Sequence, residues 1–163
     1  MTDLERCYIA AMRILGHRFN SEGELRRKLS AKRFERDVID ATIEKLHREK
    51  WLDDERFAGA FVRTRALKKI GRTRLRQELR ATGVADDIAD RAIRENDDPE
   101  REAADLRDVA AKRMRMMQRR HGDDYLASPE GRKKLAAYLL KQGYDAALIY
   151  GIVKELSSAT DDE

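Results

Sequence analysis

Cysteine, proline and aromatic residues are all scarce in this chain: one Cys, two Pro and 6% aromatics among 163 residues. The single Cys7 excludes an internal disulfide, and with three scattered histidines it makes no zinc spacing. No apolar run approaches the ~20 residues a membrane-spanning helix needs. The acidic start Met1-Thr2-Asp3-Leu4-Glu5 has no apolar signal segment. A soluble, cytoplasmic protein without membrane contact is expected. Catalytic groupings are also missing. His17, His47 and His121 stand with no Ser, Cys or paired carboxylate, and Gly71-Arg72-Thr73 lacks the upstream Gly and the Lys of a phosphate loop. Asp53 and Asp54 read as a helix cap, and Cys7 as a core residue beside Ile9, Ala10, Ile14 and Leu15. No enzyme, metal or cofactor is expected.

What is abundant is charge. Lys and Arg number 35 and Asp and Glu 31, so 40% of the chain is charged, against ~25% in a typical globular protein. Hydrophobic residues make up 41%, enough to fold, and suit helices with one buried stripe and a charged outer face. β-branched alternation is almost absent, while apolar residues recur at helical spacing, as at Leu25 and Leu29, or Ile39, Ile43 and Leu46. Thr2-x-x-Glu5 and Ser21-x-x-Glu24 fit capping boxes. Asp53 caps a helix between the staple residues Leu52 and Phe57, and Asp98-Pro99 and Ser128-Pro129 place a capper before a proline at the first helical position. Gly83 and Gly143 are stop signals. Nine helices are predicted, at about 3–15, 22–32, 36–48, 54–69, 72–82, 86–95, 99–119, 130–141 and 146–157.

An internal repeat organises them. Leu25, Leu29, Arg33, Phe34, Val38 and Ile43 align with Leu75, Leu79, Gly83, Val84, Ile88 and Ile93 at an offset of 50, then with Leu135, Leu139, Gly143, Tyr144, Leu148 and Val153 at a further 60. Each unit is a helix with an i, i+4 leucine pair, a tight turn, an apolar plug and a second amphipathic helix, preceded by a third. The expected fold is all-α: three tandem three-helix repeats, helix-turn-helix-like, at 1–50, 51–97 and 98–157, forming an elongated, curved array with an acidic disordered tail at 158–163. Arg33 replaces the repeat glycine, where a left-handed residue with a Cβ is strained by about 1–2 kcal/mol. The first turn is therefore expected to end its helix differently.

Charge is unevenly placed, and the isoelectric point is about 9.2. Residues 63–80 carry Arg63, Arg65, Lys68, Lys69, Arg72, Arg74, Arg76 and Arg80 against Glu78 alone. An acidic run from Asp86 to Asp108 follows, then Lys112, Arg113, Arg115, Arg119 and Arg120, interleaved with the apolar seam Met114, Met116 and Met117. Arg26, Arg27, Lys28, Lys32 and Arg33 form a smaller cluster. Such clusters are either solvated helix faces or a discontinuous cationic surface following a phosphate backbone, with affinity from counterion release and little sequence selectivity. The acidic run should face away or meet a basic partner. Phe19, Phe34, Trp51, Phe57, Phe61, Tyr138 and Tyr144 read as core plugs rather than base-stacking residues.

Leu52-Asp53-Asp54-Glu55-Arg56-Phe57-Ala58 followed by Gly71-Arg72-Thr73-Arg74-Leu75-Arg76-Gln77-Glu78-Leu79-Arg80-Ala81-Thr82-Gly83-Val84 resembles the RecX family of recombinase regulators. Ser21-Glu22-Gly23-Glu24-Leu25-Arg26-Arg27-Lys28-Leu29 is similar to that family's first repeat, and Lys133 to Tyr144 to its third. Where the family has two arginines before the Ser, this chain has Arg18 and Asn20. The resemblance implies a monomer that binds the RecA recombinase filament in its groove, touches single- or double-stranded DNA through phosphates, and inhibits strand exchange, ATP hydrolysis and co-protease activity. Thr73 to Arg80 is, by analogy, one contact element. Candidate contacts are the cations named above from Arg26 to Lys32, from Lys68 to Arg80 and from Lys112 to Arg120, together with Arg18, Lys133, Lys134 and Lys141. The competing reading is a helix-turn-helix transcription factor. It is disfavoured by helix starts such as Asp86-Asp87-Ile88 and Asp145-Ala146-Ala147, which lack base-reading side chains.

Overall fold

Most helices begin where a side chain supplies an acceptor for their free N–H groups; those starting at Arg36 and Asp86 have no side-chain cap. The computed structural model describes residues 1–158. Among them are nine α-helices, one 3₁₀ turn (Asp123–Ala127) and no strand. The helices are α1 (Asp3–His17), α2 (Glu22–Ala31), α3 (Arg36–Arg48), α4 (Asp54–Ala66), α5 (Arg72–Ala81), α6 (Asp86–Glu95), α7 (Pro99–His121), α8 (Pro129–Lys141) and α9 (Ala146–Ser158). Thr2 and Glu5 close a full capping box, with bonds of 3.2 and 2.7 Å. Ser21 accepts the Glu24 N–H at 3.1 Å, but the Glu24 carboxylate takes the Arg18 guanidinium in two bonds of 3.0 and 3.1 Å. Asp53, Asp98 and Ser128 each cap as expected, every bond 3.0 Å. Asp54 does something else: its carboxylate accepts the N–H of Glu22 at 2.9 Å, satisfying the first turn of α2 from α4.

Seven helix ends differ from expectation, by one to three residues. α4 stops at Ala66, because Leu67, Lys68 and Lys69 donate to carbonyls three residues back and Lys69 turns to φ +51. α7 continues to His121 and ends at Gly122 with φ +92, and the 3₁₀ turn after it was not foreseen. Ser158 belongs to α9, and the rest of the expected tail lies outside the described residues.

Two compact units are distinguishable: Met1–Arg63 with Glu78–Asn96, and Thr64–Gln77 with the described residues from Asp97 on. In the first, α1, α2 and α3 pack around Cys7, Ala11, Leu25, Leu29, Ile43 and Leu46. In the second, α7, α8 and α9 pack around Leu106, Ala110, Leu135, Leu139, Tyr144 and Ile149. The repeat template occupies matching environments. Leu25, Leu75 and Leu135 are buried, and Leu29, Leu79 and Leu139 are all 0% exposed. Val38, Ile88 and Leu148 are all half-buried.

The three turns are alike, which corrects the expectation for Arg33. Arg33 has φ +65, beside +83 at Gly83 and +94 at Gly143. Its N–H reaches the Ser30 carbonyl at 2.8 Å and the Phe34 N–H reaches Leu29 at 3.4 Å, as the Gly143 and Tyr144 N–H groups reach Leu140 and Leu139 at 2.9 and 3.4 Å. What separates the turns is the neighbour. A Cβ on Gly83 would lie 2.8 Å from the Gly23 Cα, and one on Gly143 would lie 2.5 Å from the Arg74 nitrogen. Arg33 is exposed, so only the conformational strain remains, and that is tolerated.

Two aromatics depart from the core. Phe19 is 60% and Trp51 53% exposed, because Asn20 and Leu52 take the inward places next to them. The Arg56 guanidinium covers Phe19, 5.0 Å from its ring centroid. Phe57 and Tyr144 are buried, and Phe34, Phe61 and Tyr138 half-buried.

Gly83→Ala and Gly143→Ala should each lower stability by more than about 2 kcal/mol, since strain and backbone overlap add. Arg33→Gly should change it by less than about 1 kcal/mol. Thermal melts followed by circular dichroism decide this: glycine-to-alanine shifts no larger than that of Arg33→Gly, and opposite in sign, would show that the left-handed turn alone, not the backbone contact, sets the glycine.

Candidate nucleic-acid interface

The cations sort into those already engaged and those left over. In the first unit, Arg18 is clamped by Glu24, and Arg26 bridges Glu22 at 2.7 Å and Asp40. Arg27 donates to the Ala81 carbonyl at 2.8 Å and Lys28 to the Asn20 side chain at 2.6 Å. Asn20 is buried, and its amide also donates to the Arg18 carbonyl at 2.7 Å, so this departure from the family pattern holds the α1–α2 loop. Hydrogen bonds from His47 and Arg26 outweigh burial and hold the Glu22 carboxyl below its ordinary range. Arg80 pairs with Asp86 at 2.7 Å. Lys32 remains exposed.

In the second unit Arg72, at the start of α5, pairs with Asp97 and with Glu102 at 2.9 Å. Lys69 pairs with Asp108 at 2.6 Å, Arg74 donates to Gln142 at 2.8 Å, and Lys134 pairs with Glu130 at 3.0 Å. The acidic run therefore does not simply face away or wait for a partner: Asp97, Glu102 and Asp108 neutralise basic residues of their own unit. Arg72, Arg76 and Arg80 lie outward while Leu75 and Leu79 are buried, as the helical spacing predicts, but Arg72 and Arg80 are ion-paired and Arg76 is engaged as well.

Of the candidate cations left over, all but Lys32 and Lys68 lie on α7 and α8. Lys112, Arg115, Arg119, Arg120, Lys133 and Lys141 are exposed and form no ion pair among the described residues. A groove of about 730 Å³ in this unit is lined by Lys68, Lys69, Lys112, Arg113 and Arg115, with Asp108, Val109, Ala111, Met116, Tyr138 and Gln142. The Arg113 guanidinium lies 4.4 Å from the Tyr138 ring centroid, and its Nε has no hydrogen-bond partner. The methionines do not form one seam. Met117 is buried and Met114 half-buried three residues away, whereas Met116 is 52% exposed on the groove side. Two groove residues, Tyr138 and Met116, were hidden in the sequence. The only available signal was their displacement from the stripes Leu135–Leu139 and Met114–Met117.

Other chemistry finds no grouping. Among the described residues no three His, Cys, Asp or Glu side chains are placed to hold a metal, and no helix is long and apolar enough to cross a membrane. Cys7 is fully buried, and burial pushes its thiol up from the ordinary value.

The Lys69 hydrogen bond holds the Asp108 carboxyl below its ordinary 3.8, and the same bond raises the Lys69 ammonium. Because the folded value of Asp108 is depressed, the pair's contribution is present above the unfolded pKa and is lost as pH falls through the folded one. NMR titration should place the Asp108 midpoint below 3.8 in the parent and return it toward that value in Lys69→Gln. Unchanged midpoints would mean the pair is open in solution. Arg72→Glu should destabilise by about 1–2 kcal/mol, partly recovered in high salt, because it sets three carboxylates together.

Residues 7–46 match the family model for the first three-helix domain of RecX and residues 53–93 that for the second. Over 156 residues the chain is 36% identical to the regulatory protein RecX of Prosthecochloris aestuarii, covering 95% of this chain and 96% of that protein. It is 34% identical over 146 residues to the regulatory protein RecX of Chlorobium phaeobacteroides, with 89% of each covered. The crystal structure of RecX from Lactobacillus salivarius aligns with a TM-score of 0.78 at 25% identity, covering 95% of this chain and 97% of that one. A second crystal structure of a regulatory protein RecX aligns with a TM-score of 0.79 at 22% identity, covering 94% of this chain and 72% of that one. With its leucine template, its turns and nearly its whole length matched, the chain belongs to the RecX family of regulatory proteins.

Proposed function

We propose that this chain acts as a cytoplasmic monomer on the RecA recombinase filament, binding in its groove and reducing strand exchange, ATP hydrolysis and co-protease activity. No cofactor takes part. Family membership supports the regulatory role. The observation that carries the nucleic-acid part is the sorting of cations: after internal pairing, exposed positive charge remains on α7 and α8 at Lys112, Arg115, Arg119, Arg120, Lys133 and Lys141. Such a surface gains affinity by releasing counterions from phosphates and reads little sequence. A transcription factor fits less well. α6 opens on Asp86 and Asp87, and Asp145 spends its carboxylate on the Ala147 N–H at 2.9 Å, so neither start offers a base-reading side chain.

Joint exchange of Arg119, Arg120 and Lys133 for Glu should leave the melting curve nearly unchanged, since exposed substitutions shift stability by about 0.5 kcal/mol or less each. The variant should co-sediment poorly with RecA filaments on DNA and relieve inhibition of RecA ATP hydrolysis. Inhibition equal to the parent's at equal concentration would reduce this surface to solvated charge.

A further inference from the structure

Lys112, Arg113 and Met116 recur at helical spacing on one side of α7 and line the groove together with Tyr138 of α8 and Lys68 of the α4–α5 connection. Asp108 is the lone carboxylate of the lining and is already held by Lys69 at 2.6 Å, so the groove selects an anion. Charge is not its whole character. Val109, Ala111, Met116 and Tyr138 give it an apolar surface between the cations. Arg113 lies over Tyr138 with its centre 4.4 Å from the ring centroid, and no carboxylate claims its Nε. The guanidinium plane and the ring thus pack together as one flat element of the groove lining.

We propose that this groove is a single-stranded nucleic-acid site, in which a base stacks on the Arg113–Tyr138 pair while phosphates meet Lys68, Lys112 and Arg115. The assignment rests on the nucleic-acid part of the function proposed above and adds strand type and residues to it. Cationic walls beside a stacking plane are what an unpaired strand requires, because its backbone and base faces are exposed together. A duplex keeps its bases inside and would meet only the charges. An acidic peptide would supply carboxylates but no ring for the plane.

Fluorescence anisotropy on the full chain tests this, with a labelled oligothymidylate, a duplex of equal phosphate number and a poly-glutamate competitor. Arg113→Lys keeps the charge and removes the plane. It should weaken oligothymidylate binding about tenfold, as loss of a stacked base does, and leave duplex binding within about twofold. Lys112→Gln should weaken both and lower the single-strand salt slope by about 0.7. Tyr138→Leu should follow Arg113→Lys, provided its melting curve matches the parent's; Arg113→Lys decides if it does not. In Arg113→Lys, equal losses on both nucleic acids or no loss at all would overturn the assignment, as would no oligothymidylate binding by the parent or poly-glutamate competing as well as the oligonucleotide. Filament inhibition is scored separately through Arg119, Arg120 and Lys133, none of which lines the groove, so the two readings fail independently.

Discussion

The close approach of helix starts and left-handed turns is the constraint on which the arrangement of repeats depends. In the first unit the Thr82–Gly83 turn lies on the start of α2, where the Ser21 hydroxyl donates to the Thr82 carbonyl. In the second unit Gln142–Gly143 lies on the start of α5, where Gly71 and Thr73 donate to the carbonyls of Gln142 and Gly143 at 2.9 and 3.1 Å. Ser21 and Gly71 are the same repeat position, as are Thr82 and Gln142. One junction is therefore used twice, with a hydroxyl donor once and a backbone donor once. Contact at this range has no room for a Cβ, and it satisfies backbone groups that helix ends leave open. Tyr144 ties the second junction further, its buried hydroxyl donating to the Lys69 carbonyl at 2.8 Å.

Charge is organised by the same architecture. A chain this highly charged cannot leave every helix face independent. Asp97 and Glu102 lie close to Arg72, and Asp108 close to Lys69, so opposite signs far apart in sequence meet locally. These pairs are exposed or half-buried, and screening by solvent keeps each of them individually weak. Their larger consequence is selection: they remove Lys69, Arg72 and Arg80 from the free cationic surface, while Lys112, Arg115, Arg119, Arg120, Lys133 and Lys141 of α7 and α8 stay on it.

Helix positions, caps and the repeat were legible in the sequence because each rests on local spacing. The i, i+4 leucines and the acceptors Thr2, Asp53, Asp98 and Ser128 do not depend on distant residues. Arg33 was misread because its strain was weighed without the junction, which is what demands glycine at Gly83 and Gly143. Phe19 and Trp51 were misread because hydrophobicity does not say which of two adjacent loop residues faces in. The candidate surface was less legible still. Whether Arg72 or Lys112 is free depends on carboxylates that only the fold brings near, and Arg113 stacked on Tyr138 joins α7 to α8 across many intervening residues.

The third repeat fills the same place in another way. Gly131 is the position in the third repeat that matches Ser21 and Gly71, and it does have a neighbour: a Cβ there would lie 2.0 Å from the Tyr125 carbonyl oxygen. The 3₁₀ turn between α7 and α8 thus fills, from within the same unit, the place that a following turn takes at α2 and α5. It is held there by the Ser128 hydroxyl, which donates to the Tyr125 carbonyl at 2.6 Å and accepts the Gly131 N–H at 3.0 Å. The Arg33 turn, by contrast, is exposed and carries the Cβ that neither junction admits. A glycine that looks like flexibility and an arginine that looks like a lapse are then two consequences of one rule: a left-handed turn takes glycine where its backbone touches a helix start, and admits a Cβ where it is exposed.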